Sequence, residues 1–269
     1  MVTERDVFRM MEDFEIPRNA KVNIRASIHA IGGIEGGADG LIDALKAYLS
    51  DGLLLVPTHT WATVNRENPT YDVLRTPPCI GTLASAAAFR RDGFRSLHPT
   101  HSMTGFGREA ESYLAGEENA KTPTPVGGAL SRLAEEGGYV LLVGVGLEQN
   151  TFLCAVDEMA ETPFPGHLSR YTFDIGIYDH AGRRILDRTV FLRKQKNARI
   201  VRGGGSAERT ERYASHHVDI ELYGGEADRP AKRNNRENLR FGFFNVTWHF
   251  GFLAVFGFLR PNGSKCIIP

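Results

Sequence analysis

The chain has 269 residues and a mass of 29.8 kDa, with 32 basic and 32 acidic side chains and no formal net charge. Its 42% hydrophobic and 24% charged residues exclude intrinsic disorder, collagen and coiled coil. A neutral chain carries no overall field that attracts a polyanion, so we expect no nucleic-acid partner. The three cysteines lack CxxC spacing, and the N-terminus lacks the apolar core of a signal peptide. We therefore expect a cytoplasmic protein that binds no metal.

Hydrophobic spacing and end signals predict alternating helices and strands. The first half is predicted to hold a helix over residues 4–14, a strand over 21–24, a helix that Asp39 caps and Gly52 ends, and a strand over 53–56. The second half is predicted to hold helices over 83–91 and 129–136, a strand over 139–143, and a helix from Asn150 or Thr151 to about residue 160. The strands are apolar on both faces, which indicates a three-layer α/β domain with a covered sheet.

The end of the chain differs in composition from the rest. We assign residues 1–225 to the main domain and residues 226–269 to an aromatic-rich C-terminal segment of the same domain. The apolar run 241–259 follows a basic flank, which is typical of a membrane span. Polar residues and glycines inside the run weaken it as a helix. We therefore favour buried or edge strands over a membrane span.

The segment 24–32 leads from a strand through small residues towards a helix. Such a loop presents unpaired backbone N–H groups, which suit a phosphate or an oxyanion. The hydroxyl of Ser27 adds a donor, and the guanidinium of Arg25 is able to pair with a phosphate. The alternative interpretation is a plain connection between two elements.

The segment 95–102 places two histidines and two hydroxyls close together outside any periodic helix. They are His98, Thr100, His101 and Ser102. Polar clusters on loops are enriched in functional sites. In the alternative interpretation, one histidine bonds backbone carbonyls and Pro99 fixes the turn.

The segment 144–151 lacks the third glycine of a dinucleotide-binding motif, and no P-loop lysine follows it. It precedes a helix on which Cys154, Asp157 and Glu158 share one face. A cysteine in the first turn of a helix is favoured as a thiolate by the helix N-terminus. The alternative is a small buried apolar residue.

Several segments together carry a resemblance to a known family. They are residues 27–32 with 35–38, VPTHTW (56–61), TPPCIG (76–81), RSLHPTHS (95–102), TP (122–123), LLVGVGL (141–147) and NT (150–151). Over about residues 5–165 the chain resembles the aminoglycoside 3-N-acetyltransferase family of antibiotic-resistance enzymes, which is distinct from the GNAT type. HPTHS and GVGL followed by NT are the most specific of these segments.

The resemblance implies a single α/β/α domain with a mixed sheet. It implies transfer of acetyl from acetyl-CoA to the 3-amino group of a 2-deoxystreptamine aminoglycoside, without a metal. The residues assigned to the CoA cosubstrate are Arg25, Ala26, Ser27, Ile28, Thr100 and Ser102. The residues assigned to the polycationic antibiotic are Thr58, Glu148, Asn150 and Glu158. A homodimer is left open.

The catalytic residues depart from the family pattern. The pattern Asn-Thr-x-x-His-x-x-Glu places a proton-handling histidine where this chain has Cys154, and its acidic partner falls on Asp157. We therefore expect His98 or His101 to take over part of the base role. In a second hypothesis, Cys154 is a nucleophile that accepts the acetyl group. In a third, the protein binds CoA or an aminoglycoside without turnover.

Overall fold

The computed structural model describes residues 1–146, 149–159, 168–193, 200–202, 211–213, 219–223, 243–247 and 253–257. Its helices are α1 (Glu4–Asp13), α2 (Ile28–Ile31), α3 (Gly37–Tyr48), α4 (Thr82–Ala88), α5 (Ala110–Leu114), α6 (Ala129–Glu135) and α7 (Phe152–Met159), with a 3₁₀ turn at Glu117–Asn119. The strands up to the centre of the chain are β1 (Lys21–Ala26), β2 (Leu53–Pro57), β3 (Thr70–Asp72), β4 (Phe94–Arg95), β5 (Met103–Phe106) and β6 (Tyr139–Val143). The later strands are β7 (Leu168–Tyr178), β8 (Arg184–Arg193), β9 (Ile200–Arg202), β10 (Glu211–Tyr213), β11 (Asp219–Tyr223), β12 (Phe243–Thr247) and β13 (Leu253–Gly257).

The main sheet is mixed. Its described strands follow the order β11-β12-β13-β6-β1-β2-β5-β4. The central strands β6, β1 and β2 are parallel, with Val22 of β1 paired to both Leu54 and Tyr139. β13 also runs parallel to β6, whereas β5 and β4 on one side and β12 on the other pair antiparallel with their neighbours. The predicted mixed sheet is confirmed.

Helices cover both faces of this sheet, which confirms the predicted three-layer architecture. Side chains of β2 alternate between two cores. Leu54 and Val56 join the core with α1, α3 and α4, while Leu53 and Leu55 join the core with α5, α6 and α7. Each of the four is at most 1% exposed, so burial of each contributes about 1.5–3 kcal/mol of hydrophobic stabilisation.

Two predicted helix boundaries are wrong. α3 begins at Gly37 with Gly36 as its N-cap, so Asp39 lies inside the first turn and pairs with Arg90 at 2.9 Å. Gly36 has a φ of +71°, a conformation that favours glycine. α4 ends at Ala88, three residues earlier than predicted.

The loop predicted at residues 25–27 is also partly wrong. β1 continues through Arg25 and Ala26, and only Ser27 leaves the sheet. Its hydroxyl accepts a hydrogen bond from the N–H of Ala30 at 3.2 Å and caps the short helix α2, which periodicity alone does not reveal.

A second, three-stranded sheet formed by β3, β7 and β8 was not predicted from the sequence. Its apolar cluster includes Tyr71, Val73 and Ile175. The hydroxyl of Tyr71 donates to the carbonyl of Ser96 at 2.8 Å. This small sheet therefore supports the start of the polar segment 95–102.

Within the apolar run 241–259, β12 and β13 belong to the main sheet, as expected for strands. Among the described residues, no helix has the length and apolar character needed to cross a membrane. Most of the segment 226–269 lies outside the described residues.

Candidate functional site

The candidate site lies at the carboxyl ends of the parallel strands β1, β2 and β6, which are Ala26, Pro57 and Val143. β1 has β2 on one side and β6 on the other, so the chain connections diverge around β1. Ligands of open α/β sheets bind in the crevice at such a position. The N–H of Ser27 donates to the carbonyl of Val143 at 2.9 Å, which joins the two segments at this edge.

Arg25 points into this edge from β1. Its Nη2 donates to the hydroxyl of Thr151 and lies 3.4 Å from Nδ1 of His59. A guanidinium only donates, so a hydrogen bond in this contact requires Nδ1 of His59 to accept, which assigns the ring proton to Nε2. Arg25 was expected to pair with a cofactor phosphate, but its side chain is partly buried and bonded within the protein.

His98 organises the turn that follows it. Its Nδ1 accepts the N–H of Thr100 at 3.2 Å and the N–H of His101 at 3.0 Å. Its Nε2 lies 3.0 Å from the carbonyl of Thr122 and donates to it. Burial lowers the pKa of His98 below its usual value, which keeps the ring neutral. Two backbone N–H groups of this turn, those of Thr100 and His101, are thus occupied by His98.

Three imidazole rings cluster beside this turn. The ring centroid of His101 lies 4.6 Å from that of His59 and 5.7 Å from that of His98. All three side chains are buried. Nδ1 of His101 lies 3.0 Å from the hydroxyl of Thr100, which is able to orient the ring. Sequence analysis missed His59, although it lies just beyond the end of the parallel strand β2 and so belongs to the ligand-binding edge.

Thr58 and Ser102 do not face an open site. The hydroxyl of Ser102 donates to the carbonyl of Thr58 at 2.7 Å, and the two hydroxyls lie 3.2 Å apart. The N–H of Thr58 donates to the carbonyl of Ser102 at 2.8 Å. Both residues are fully buried, so they continue the pairing of β2 with β5. Both hydroxyls are thus bonded within the protein, and the assignments of Thr58 to the antibiotic and of Ser102 to CoA stay predictions.

Thr151, just before α7, and Cys154 and Glu158 within it stand at positions i, i+3 and i+7, which share one helix face. Thr151 at one end is bonded to Arg25. Glu158 at the other end accepts the hydroxyl of Thr122, and the N–H and hydroxyl of Thr124 at 3.0 and 2.6 Å. Cys154 lies between these two anchors and is 7% exposed.

Glu158 therefore holds the segment 122–124 in place, and its role in binding the antibiotic stays a prediction. Asp157, three residues after Cys154, is only partly buried. Asn150 caps α7 as predicted, because its Oδ1 accepts the N–H of Phe152 at 3.1 Å. Glu148, also assigned to the antibiotic, lies outside the described residues.

A pocket adjoins the histidine cluster. Its lining residues are His59, His98, His101, Met103, Glu117, Pro123, Thr124, Pro125, Gly128, Ala129 and Leu130. Glu117 is 6% exposed, and its Oε1 accepts the N–H of Ala129 at 2.9 Å. Glu117 was missed from the sequence, because it stands in an ordinary charged pattern beside Glu118 and only the folded chain shows that it is buried. Among the described residues, no group of three or more His, Cys, Asp or Glu side chains is placed to hold a metal ion.

Buried imidazoles at the carboxyl edge of a parallel sheet, beside a pocket, define a site suited to proton transfer in an α/β enzyme. The sequence profile of the aminoglycoside 3-N-acetyltransferase family matches residues 24–214. The chain belongs to this family, and the resemblance described above is confirmed.

Similar sequences carry the same family name. Aminoglycoside N(3)-acetyltransferase III of Serratia marcescens is 28% identical over 179 residues, which are 60% of this chain and 65% of that protein. Aminoglycoside N(3)-acetyltransferase IV of Salmonella sp. is 29% identical over 143 residues, which are 52% of this chain and 53% of that protein. The match thus spans about half to two thirds of these relatives' length.

Solved structures share the fold. The acetyltransferase AAC-IIIb in a binary complex with CoASH superposes with a TM-score of 0.60 at 19% identity, covering 71% of this chain and 76% of that one. AAC-VIa bound to sisomicin superposes with a TM-score of 0.57 at 20% identity, covering 70% and 75%. At these identities the likeness concerns the fold alone.

Proposed function

We propose that this protein is an acetyl-CoA-dependent N-acetyltransferase that acetylates the 3-amino group of 2-deoxystreptamine aminoglycosides and so confers antibiotic resistance. The observation that carries the proposal is the histidine cluster of His59, His98 and His101. It lies beside the segments that match the family motif. The relatives named above supply the substrate class and, through the CoASH complex, the cosubstrate.

The reaction needs a proton acceptor because only a neutral amine is a nucleophile. The amine nitrogen attacks the thioester carbonyl, a C–N bond forms, the C–S bond breaks and CoA leaves as a thiolate. His98 is unsuited to accept the amine proton, since both of its nitrogens are bonded to backbone groups. We assign the base to His101. When its Nδ1–H donates to Thr100, Nε2 is able to take the proton and pass it to the thiolate.

His59 has a complementary role in this proposal. Its contact with Arg25 places the ring proton on Nε2, so the neutral ring is a hydrogen-bond donor. A preorganised donor in a buried site stabilises the oxyanion that forms on the thioester oxygen. Arg25 thus acts through His59 as a positioning residue, in place of the phosphate contact expected from the sequence.

The acyl-CoA is assigned to the edge formed by Ala26, Ser27 and Ile28. All three are partly exposed at the carboxyl end of β1. The oxygen of Ser27 already accepts the N–H of Ala30, so its hydroxyl hydrogen is the group left to donate to the cofactor.

The test is an acetylation assay on the purified full chain with acetyl-CoA and sisomicin. We expect stoichiometric release of CoA thiol and a product heavier by one acetyl group, with the 3-amino position identified by NMR. An aminoglycoside built on streptidine, which has no 2-deoxystreptamine ring, is the control and should not be acetylated. Binding of acetyl-CoA and sisomicin without turnover would instead support a binding protein and overturn the enzymatic proposal.

A further inference from the structure

We propose that the pocket beside Glu117 binds one ammonium group of the substrate, with the Glu117 carboxylate as its counter-charge. This inference deepens the proposed function and rests on it for the identity of the natural substrate. The other carboxylates considered for the antibiotic belong to α7 or the segment before it, whereas Glu117 approaches from the 3₁₀ turn Glu117–Asn119.

The first support is the state of the Glu117 carboxylate. Oε1 is satisfied by the N–H of Ala129 at 2.9 Å. Oε2 is buried and has no hydrogen-bond partner among the described residues. A buried carboxylate oxygen without a partner is unfavourable, so such a group is expected to meet a proton, a water molecule or a ligand donor.

The second support is the chemistry of the other pocket walls. Among the described residues that line the pocket, none is lysine or arginine. His98 is held neutral, and its N–H donates to the carbonyl of Thr122. It therefore does not act as a counter-ion for Glu117. Thr124 is engaged with Glu158. The lining therefore supplies Glu117 with no fixed cation, and a ligand cation is the group that complements it.

The third support is size. The space has room for roughly one water-sized group. A primary ammonium fits this space, whereas an amino-sugar ring has to remain at the mouth of the pocket. An ammonium also brings three donors, of which one is able to meet Oε2 of Glu117 and another Nε2 of His101, the nitrogen assigned above as the proton acceptor.

The test compares Glu117→Gln with the matched control Glu118→Gln. The Glu117→Gln side chain keeps one oxygen for the N–H of Ala129, but it loses the charge and carries an NH2 donor in place of Oε2. Glu118 is a neighbouring carboxylate that is not among the described residues lining the pocket. Isothermal titration with sisomicin and separately with CoA gives the affinities, and melting curves show that both variants fold. We expect Glu117→Gln to weaken sisomicin binding at least tenfold, with CoA binding unchanged and Glu118→Gln close to wild type. Sisomicin affinity within twofold of wild type in Glu117→Gln would overturn the inference.

Binding of spermidine, a polyamine without sugar rings, is measured as well, because it tests the ammonium site independently of the proposed acetylation of aminoglycosides. If the wild type acetylates sisomicin but Glu117→Gln binds it normally, only the inference fails. If the wild type acetylates no aminoglycoside but binds spermidine in a Glu117-dependent way, only the proposed function fails. Wild-type protein that binds neither amine overturns the pocket as an ammonium site.

Discussion

The imidazole rings of His59 and His101 lie 4.6 Å apart between centroids, with their planes inclined by 52°. One ring comes from the end of β2 and the other from the turn before β5, so the sheet itself fixes their separation. Arg25 orders the first ring and Thr100 the second. In the proposed mechanism His59 donates a hydrogen bond and His101 accepts a proton, so the two groups that acyl transfer to an amine requires lie next to each other.

The roles of the histidines are separable by matched substitutions. His101→Asn keeps a donor for Thr100 but removes the nitrogen that accepts the proton, so we expect turnover to fall by about 10²–10⁴ with the fold intact.

His98→Asn keeps an acceptor for the N–H groups of Thr100 and His101 but loses the bond to Thr122. It should lower the free energy of unfolding by about 1–3 kcal/mol. Steady-state kinetics and urea unfolding measure the two effects, and full activity of His101→Asn would exclude His101 as the base.

Removing the charge of Glu158 and removing the charge of Asp157, the two carboxylates of α7, should have different effects on stability and turnover. Glu158→Gln retains the side-chain size but replaces a charged acceptor of three hydrogen bonds, so we expect a loss of about 1–3 kcal/mol in stability. Asp157→Asn should leave stability nearly unchanged and reduce turnover by about a hundredfold, because the acidic residue of the family pattern falls on Asp157. Thermal melting and turnover on both variants provide the check. Equal activity of Asp157→Asn and wild type would remove Asp157 from the mechanism.

The two serines assigned to the cofactor should differ in the effect of their substitution by alanine. Ser27→Ala removes one donor at the exposed edge, so CoA affinity should weaken a few-fold, with a further cost of about 1 kcal/mol for the lost cap of α2. Ser102→Ala removes a fully buried hydroxyl bonded to Thr58 and should affect stability alone. Isothermal titration with CoA measures the first effect. A larger loss of CoA affinity in Ser102→Ala than in Ser27→Ala would contradict this placement.

Acidification should destabilise the protein through His98. Its pKa is lowered in the folded state, mainly by burial, and the nearby charges of Glu117 and Glu158 and the carbonyl of Thr122 only partly oppose this. The unfolded state therefore binds the proton first as the pH falls below about 6.5, the ordinary histidine value. The contribution of neutral His98 is present above that pH and is lost below it, by about 1.4 kcal/mol for each unit of pKa difference. Urea unfolding at pH 7.5 and 5.5 should show this loss in the wild type and a smaller one in His98→Asn.

The sheet was predictable because its central strands are apolar on both faces, as in Leu53–Pro57 and Tyr139–Val143. The polar segment 95–102 was also predicted as part of the site, since its composition differs from its surroundings. The roles of its members were not predictable, because His98 and Ser102 bond to carbonyls of Thr122 and Thr58, far away in the chain. His59 lies between two threonines in VPTHTW and Glu117 is followed by Glu118, so neither is distinguished from its polar neighbours, and the folded structure is needed to place them at the pocket.

Cys154 stands at the position where the family pattern has its proton-handling histidine. The structure places it between Thr151, which is bonded to Arg25, and Glu158, which holds Thr122 and Thr124. An imidazole at this position would therefore face the same site as the existing histidines. Its pKa near 6.5 would let it accept a proton at neutral pH, with Asp157 at i+3 to orient it.

We expect Cys154→His to raise turnover by about two to four decades, the usual range for a positioned base. The cysteine is 7% exposed, so the larger ring should cost about 1–3 kcal/mol of packing, visible as a lower melting temperature. Cys154→Ala is the matched control and should change turnover little, because the thiol takes no part in the proposed reaction. Loss of activity in Cys154→Ala, together with no gain in Cys154→His and an acetylated Cys154 in a mass spectrum, would replace this mechanism with one in which the thiol accepts the acetyl group.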